Sequence, residues 1–147
     1  MSQPRLVGLI ATIHELQAAF LEPVLRQEGL TWSLFQLLSL VNSSPSPVHQ
    51  AQIAEELGIT PASLSEALDA ASRKGWIERT SEPSDRRKKS IALTPKAESA
   101  LAQVLAATEQ CERIATVGFT ASERSQLAQA LRRISRQLGS VLEEKST

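Results

Sequence analysis

The chain has 147 residues, of which 41% are hydrophobic and 22% charged. This composition is typical of a globular protein that buries its core without disulfides or metals. The longest uncharged stretch, residues 29–54, is interrupted by Asn, Ser and Pro at 42–47, so the sequence predicts no membrane span. The N-terminus lacks a secretory signal pattern, and the single cysteine, Cys111, allows no internal disulfide. We therefore expect a cytoplasmic protein without a cofactor.

The net charge is zero, but the charges are unevenly distributed. Residues 1–72 carry two cations and seven acids (net −5), whereas residues 73–96 carry eight cations and three acids (net +5). A basic segment on a neutral protein indicates an anionic partner, most simply a phosphate backbone. A solvated basic loop is the alternative, and charge alone leaves both open.

Two helices are predicted before residue 42. Apolar residues from Leu6 to Leu25 recur at steps of three and four, as on one helix face, and Pro23 is expected to bend or end this helix. Thr31 is a favourable N-cap for a second helix, Trp32 to Val41, which is apolar nearly all round. This second helix should therefore lie in the middle of the fold. Residues 42–47 favour a turn.

The next segment predicts a helix-turn-helix unit. A short helix from Gln50 to Leu57 ends at Gly58, and a second one begins at Pro61 with Thr60 as its N-cap. This second helix runs to Lys74 and stops at Gly75. Two short helices joined by about three residues are the unit found in many DNA-binding proteins.

After Gly75 the pattern changes to two short strands, residues 76–79 and 89–93, joined by a polar hairpin. A helix from Pro95 to about Gly118 follows, and a last helix begins after Thr120 with Glu123 in a capping box. The last helix has an apolar seam, and a monomer of this size has limited room to cover both it and the first helix. The pattern thus predicts a homodimer through these residues: Leu6, Leu9, Ile13, Leu127, Leu131, Ile134, Leu138 and Val141.

Four motifs are more specific than the order of the elements. They are Gly29-Leu30-Thr31 with Phe35 and Leu38, the stretch Ile53–Pro61, the stretch Gly75–Arg79, and the stretch Pro83–Thr94 with its Asp-Arg-Arg tip. Over residues 6–142 the chain resembles the MarR family of winged helix-turn-helix transcription regulators. The resemblance implies a mainly α fold with a two-stranded wing, in which residues 31–94 form the DNA-binding lobe and residues 1–30 and 95–147 the dimerisation helices.

The resemblance also implies a function and a set of DNA-contacting residues. The chain is expected to bind a pseudo-palindromic double-stranded DNA site as a homodimer. Repression is the common mode of the family, and activation stays open. In relatives the Asp of the tip steadies the second Arg, so Asp85 is expected to orient Arg87 into the minor groove. Serines of the second helix can donate to phosphates or bases, and the basic wing can neutralise phosphates. The candidates are Thr60, Ala62, Ser63, Ser65, Glu66, Arg73, Asp85, Arg86, Arg87, Lys88 and Lys89.

Glu66 departs from the family, because relatives commonly have a basic residue there. Between Thr60 and Ser72 there is no Lys or Arg, and Asp69 adds a second acid to the outward side. Three interpretations stay open. Glu66 can accept from cytosine N4 and select a C·G pair, the helix can dock weakly while the wing dominates, or Glu66 can pair with Arg73 or a neighbouring chain.

Other residues suggest a ligand site or no site at all. His14, Phe20, Trp32 and Phe35 could line a cavity for a small lipophilic or aromatic effector, as the resemblance implies, or they could be core aromatics. Cys111, on an apolar helix side, is expected to be a buried structural thiol. No metal-ligand spacing or catalytic arrangement is recognisable, so neither a metal site nor an enzyme is predicted. The competing function is a dimeric ligand-binding or interaction module whose sequence-specific DNA binding is weak or lost.

Overall fold

The computed structural model describes the backbone of residues 5–45, 48–82 and 85–145, and their side chains except at 82, 85–89 and 143–145. Six helices and three strands follow in chain order over this part of the chain: α1 Leu6–Glu28, α2 Trp32–Ser43, β1 Val48–His49, α3 Gln50–Leu57, α4 Pro61–Arg73, β2 Ile77–Glu82, β3 Asp85–Leu93, α5 Pro95–Ala115 and α6 Ala121–Lys145. The predicted mainly α fold is confirmed. None of the helices in the described ranges combines the length and apolarity that a membrane crossing requires.

The predicted helix caps are present, and α1 runs past Pro23 instead of ending there. The hydroxyl of Thr31 accepts a hydrogen bond from the amide of Leu34 at 3.2 Å. Helix α1 continues through Pro23 and ends at Gly29, whose φ of 72° is the left-handed conformation that glycine adopts without strain. It continues because Leu25, one turn before the end, is 2% exposed. Its burial offsets the hydrogen bond that Pro23 cannot donate.

The capping box of the last helix is also confirmed. The backbone amide of Thr120 donates to the Glu123 carboxylate at 2.8 Å, and the amide of Glu123 donates to the Thr120 hydroxyl at 3.2 Å. These bonds to Thr120 lower the pKa of Glu123. Helix α5 ends at Ala115, three residues before the Gly118 at which the sequence pattern placed its end.

Strands β2 and β3 form the expected two-stranded wing, and β1 extends it to a three-stranded antiparallel sheet in the order β1-β3-β2. The third strand is β1, in which Val48 lies opposite Ile91. Two residues are too short to show an alternating pattern, so this strand was not predicted. Strands β2 and β3 are also longer than predicted, because their polar residues pair through the backbone without needing burial. The regular pairing reaches Ser81 and Lys89, and Glu82 pairs with Asp85 after a register shift.

The chain divides into two compact units, Met1–Glu109 and Gln110–Thr147. The first unit contains the core, which α1 to α5 and the three strands share. The side chains of its largest fully buried residues are less than 2% exposed: Leu21, Leu38, Ile53, Leu64, Leu68, Ile77, Leu101 and Val104. The second unit consists of the end of α5 and α6, and most large apolar side chains of α6 are exposed to solvent.

An ion pair joins α4 to the sheet. Nη1 of Arg79, on β2, lies 2.7 Å from Oδ1 of Asp69, on α4. The Arg79 side chain is only 18% exposed, whereas that of Asp69 is 50% exposed. Among the described residues, Nη2 of Arg79 is buried without a hydrogen-bond partner. Asp69 is therefore the carboxylate on which this largely buried guanidinium depends.

Hydrogen bonds join the start of α5 to the residues that follow α4. The Thr94 hydroxyl donates to the carbonyl of Gly75 at 2.7 Å, and Nζ of Lys96 donates to the carbonyl of Lys74 at 3.0 Å. The same ammonium lies 4.0 Å from the centre of the Trp76 ring, a cation–π distance. These bonds satisfy carbonyls at the end of α4 and hold the base of the wing against it.

We predict that Asp69→Ala lowers the free energy of unfolding by about 1 to 2 kcal/mol, because Arg79 then keeps a poorly solvated charge without its carboxylate. Urea unfolding monitored by circular dichroism measures this change. Glu22→Ala is the matched control, since it breaks the ion pair with Arg26, in which the two side chains are 58% and 79% exposed. The control should change stability by less than about 0.5 kcal/mol. Equal effects of the two variants would contradict a structural role for Asp69.

Candidate nucleic-acid interface

Helix α4 begins with a cap that leaves one hydroxyl hydrogen available. The Thr60 hydroxyl accepts from the amide of Ser63 at 3.1 Å and donates to Oγ of Ser63 at 2.9 Å. Pro61 occupies the first helical position, where its missing amide hydrogen costs nothing. Ser63 is exposed, so its own hydroxyl hydrogen can be donated to an acceptor outside the protein, such as a phosphate oxygen.

The sides of α4 follow from which residues are buried. Leu64, Leu68 and Ala71 form the buried side. Each residue turns the helix by about 100°, so Glu66 lies about 200° from Leu64, at the middle of the outward side. Ala62, Ser63, Glu66 and Arg73 are exposed as predicted, and Ser65 is half-buried.

The two acids of the outward side have different surroundings. The carboxylate of Asp69 accepts from Arg79, so the negative charge that Asp69 adds to this surface is compensated within the chain. Sequence reasoning missed this pair because Arg79 lies ten residues away on a strand, and only the packing of α4 against β2 brings them together. Neither a hydrogen bond nor an ion pair joins Glu66 to any residue whose side chain is described.

The wing is described through its backbone. Strand β3 begins at Asp85 and contains all of the predicted basic tip, with Lys89 paired to Ser81. The side chains of Asp85, Arg86, Arg87, Lys88 and Lys89 lie outside the described residues. That Asp85 orients Arg87 therefore stays a prediction. Lower in the wing, the Thr80 and Ser90 hydroxyls meet at 2.7 Å across the two strands.

Three of the four residues predicted to line a ligand cavity contact one another in a row. The ring of His14, on α1, meets Trp32 edge-on at 5.5 Å between centroids, and Trp32 lies 5.8 Å from Phe35. Phe35 is a core residue at 8% exposure, whereas Phe20 is 40% exposed. Whether these residues hold an effector stays a prediction.

A cavity of about 370 Å³ lies elsewhere, between α2 and α4. Its walls are mostly apolar, with Lys74 and Gln36 among the polar groups. Sequence reasoning missed it because the small side chains of Ala67 and Ala70 open the groove, and small residues give no sequence signal for a cavity. None of His14, Phe20, Trp32 and Phe35 lines it.

The remaining candidate is Cys111, and a metal site was not expected. Cys111 is half-buried, in place of the fully buried thiol that was expected. Over the described residues, no three His, Cys, Asp or Glu side chains come close enough together to hold a metal ion.

The chain is similar to known proteins in both sequence and structure. Residues 28–88 match the model of the MarR family. The chain is similar in structure to the transcriptional regulator SlyA, with a TM-score of 0.80 and 21% identity, over 95% of this chain and 98% of that one. It is also similar to the transcriptional repressor CouR bound to a 23-mer DNA duplex, with a TM-score of 0.73 and 27% identity, over 88% and 92% of the two chains.

A third similar structure holds a small molecule. It is CouR from Rhodococcus jostii RHA1 bound to p-coumaroyl-CoA, with a TM-score of 0.75 and 24% identity, over 90% of this chain and 95% of that one. The matched segment, residues 28–88, includes α3, α4, β2 and the start of β3. Residues 28–88 thus match the MarR family that the sequence motifs indicated, and the chain as a whole shares the fold of solved transcriptional regulators.

Proposed function

We propose that this protein is a sequence-specific transcription regulator that binds double-stranded DNA as a homodimer. The observation that carries the proposal is the exposed outward side of α4, capped by Thr60, beside a wing with four consecutive cations at 86–89. Helix α4 would enter the major groove, which is about 12 Å wide and admits a helix. Residues 80–90 would cross the adjacent backbone and minor groove, where the cations release counterions.

Exposed apolar side chains on two helices support the homodimer. In the first unit, Leu6, Leu9 and Ile13 of α1 are 61%, 51% and 63% exposed. In the second unit, Leu131 and Leu138 of α6 are 43% and 56% exposed, and Ile134 between them is half-buried. Rows of exposed apolar residues at helical spacing favour coverage by a second copy of the chain. Two-fold symmetry then predicts a pseudo-palindromic site with half-sites about one helical turn apart.

Repression in response to a ligand is the mode of regulation that we propose. CouR, which the chain resembles, is a repressor, and it binds both DNA and p-coumaroyl-CoA. A lipophilic or aromatic effector beside His14, Phe20, Trp32 and Phe35 would act by favouring a spacing of the two α4 helices that does not fit the site. The proposal includes no catalytic step.

Binding to the DNA upstream of the protein's own gene, measured by fluorescence anisotropy at two salt concentrations, tests the proposal. We expect tight binding that resists competitor DNA and weakens steeply with salt. Weak binding that unrelated DNA removes equally well would contradict it, and would favour the dimeric ligand-binding module without sequence-specific DNA binding.

We predict that Arg87→Ala lowers the affinity for the DNA site by about tenfold or more, because the wing loses its minor-groove contact and one phosphate-neutralising charge. The same anisotropy titration measures the change. Arg133→Ala is the matched control, since it removes one exposed cation from α6 and should leave the affinity unchanged. Unchanged affinity of Arg87→Ala would contradict the docking of the wing.

We predict that Leu131→Glu shifts the protein from dimer to monomer, because a charge is placed in the apolar seam. Sedimentation velocity measures the change. Gln129→Glu adds the same charge about 160° away around α6 and should leave the dimer intact. A dimer that survives Leu131→Glu would show that the seam is not the interface.

A further inference from the structure

Glu66 is the side chain of α4 best placed to meet a base. It lies at the middle of the outward side, and its neighbours one turn away in each direction, Ala62 and Ala70, are both alanine. No exposed side chain between Thr60 and Ser72 is longer. If α4 enters a groove, the Glu66 carboxylate therefore reaches the base edges first, and the alanines four residues to either side do not shield it.

Among the described side chains, the Glu66 carboxylate has no ion-pair or hydrogen-bond partner. Arg73 lies seven residues further along α4, about 10 Å along the helix axis, and no ion pair joins it to Glu66. Asp69, one turn away, is instead the acid that is neutralised, through Arg79 at 2.7 Å. Among the described side chains nothing pairs with Glu66, which removes the interpretation that Arg73 holds it away from DNA.

A free carboxylate in a groove lined by phosphates is repelled unless it meets a hydrogen-bond donor. In the major groove, the base donors are the amino groups of cytosine and adenine. Adenine presents the acceptor N7 beside its N6 amino group, so a second carboxylate oxygen there would face a lone pair. Cytosine presents its N4 amino group without a neighbouring acceptor on the same base, so it suits a carboxylate better.

We propose that Glu66 reads a cytosine of a C·G pair in each half-site by accepting a hydrogen bond from its N4 amino group. This inference rests on the proposed function and adds one base position to it. It also gives the acid a role in discrimination, because guanine and thymine present no donor to the carboxylate in the major groove and adenine places the acceptor N7 beside its amino group.

Selection from a random duplex library tests the proposal. The wild type, Glu66→Gln, Glu66→Ala and the control Glu109→Gln are each used to enrich bound duplexes, which are then sequenced. Glu109 is exposed on α5, so the control removes one acid away from α4. Circular dichroism checks that all four proteins are equally folded, as expected for changes at exposed positions.

We expect the wild type and Glu109→Gln to enrich the same site with one C·G pair per half-site that depends on Glu66. Replacing that pair should weaken wild-type binding at least about fivefold. Glu66→Gln should change the preference at that position from cytosine to adenine, because a glutamine amide bonds to both N6 and N7. Glu66→Ala should lose the preference there and keep the rest of the site.

Two results would overturn the proposal, and they are distinguishable. If the Glu66 variants enrich the same site as the wild type, the base-reading role is wrong while the DNA-binding function stands. The same holds if Glu66→Ala merely binds all duplexes more tightly. If the wild type enriches no site at all, the proposed function itself is wrong.

Discussion

A helix that enters DNA must be attracted to phosphates, and α4 supplies almost none of that attraction. Its one cation, Arg73, is its last residue, and its outward side carries Glu66 and Asp69. In the proposed function this attraction comes from the neighbouring wing, where four cations follow one another at 86–89. The wing then supplies most of the affinity for DNA, and α4 supplies the discrimination between sites.

This division depends on how firmly the wing is held to α4. The pair between Asp69 and Arg79 joins α4 to β2, and Thr94 and Lys96 bond to carbonyls at the junction between them. The pair has a second effect, since it neutralises one of the two acids on the outward side. The same contact thus positions the wing and leaves Glu66 as the single uncompensated acid of that side of α4.

The sequence predicted most elements because their signals are local. Thr31, Thr60 and Thr120 cap helices through bonds to residues three positions away, and Gly29 ends α1 with a positive φ. Tertiary effects were not predictable in this way. Helix α1 continues past Pro23 because Leu25 is buried in the core. Strand β1 forms because its two residues pair with the backbone of β3.

The sequence predicted which side of α4 faces outward, but not the contacts between α4 and the other elements. Periodicity identified the outward side of α4, since its buried leucines recur every four residues. The ion pair between Asp69 and Arg79 and the cavity beside Ala67 and Ala70 both depend on which elements pack together. These relations join residues that are distant in sequence, so no local pattern contains them.

The dependence of specificity on salt tests the division between wing and α4 most directly. The measurement is the affinity for the selected site and for an unrelated duplex between about 50 and 200 mM salt. We expect both affinities to fall steeply and in parallel, so that their ratio stays constant within about twofold, because α4 adds almost no counterion release when it reads bases. A ratio that collapses as salt rises would mean that specific recognition itself depends on ion pairs with phosphates, and would contradict the account.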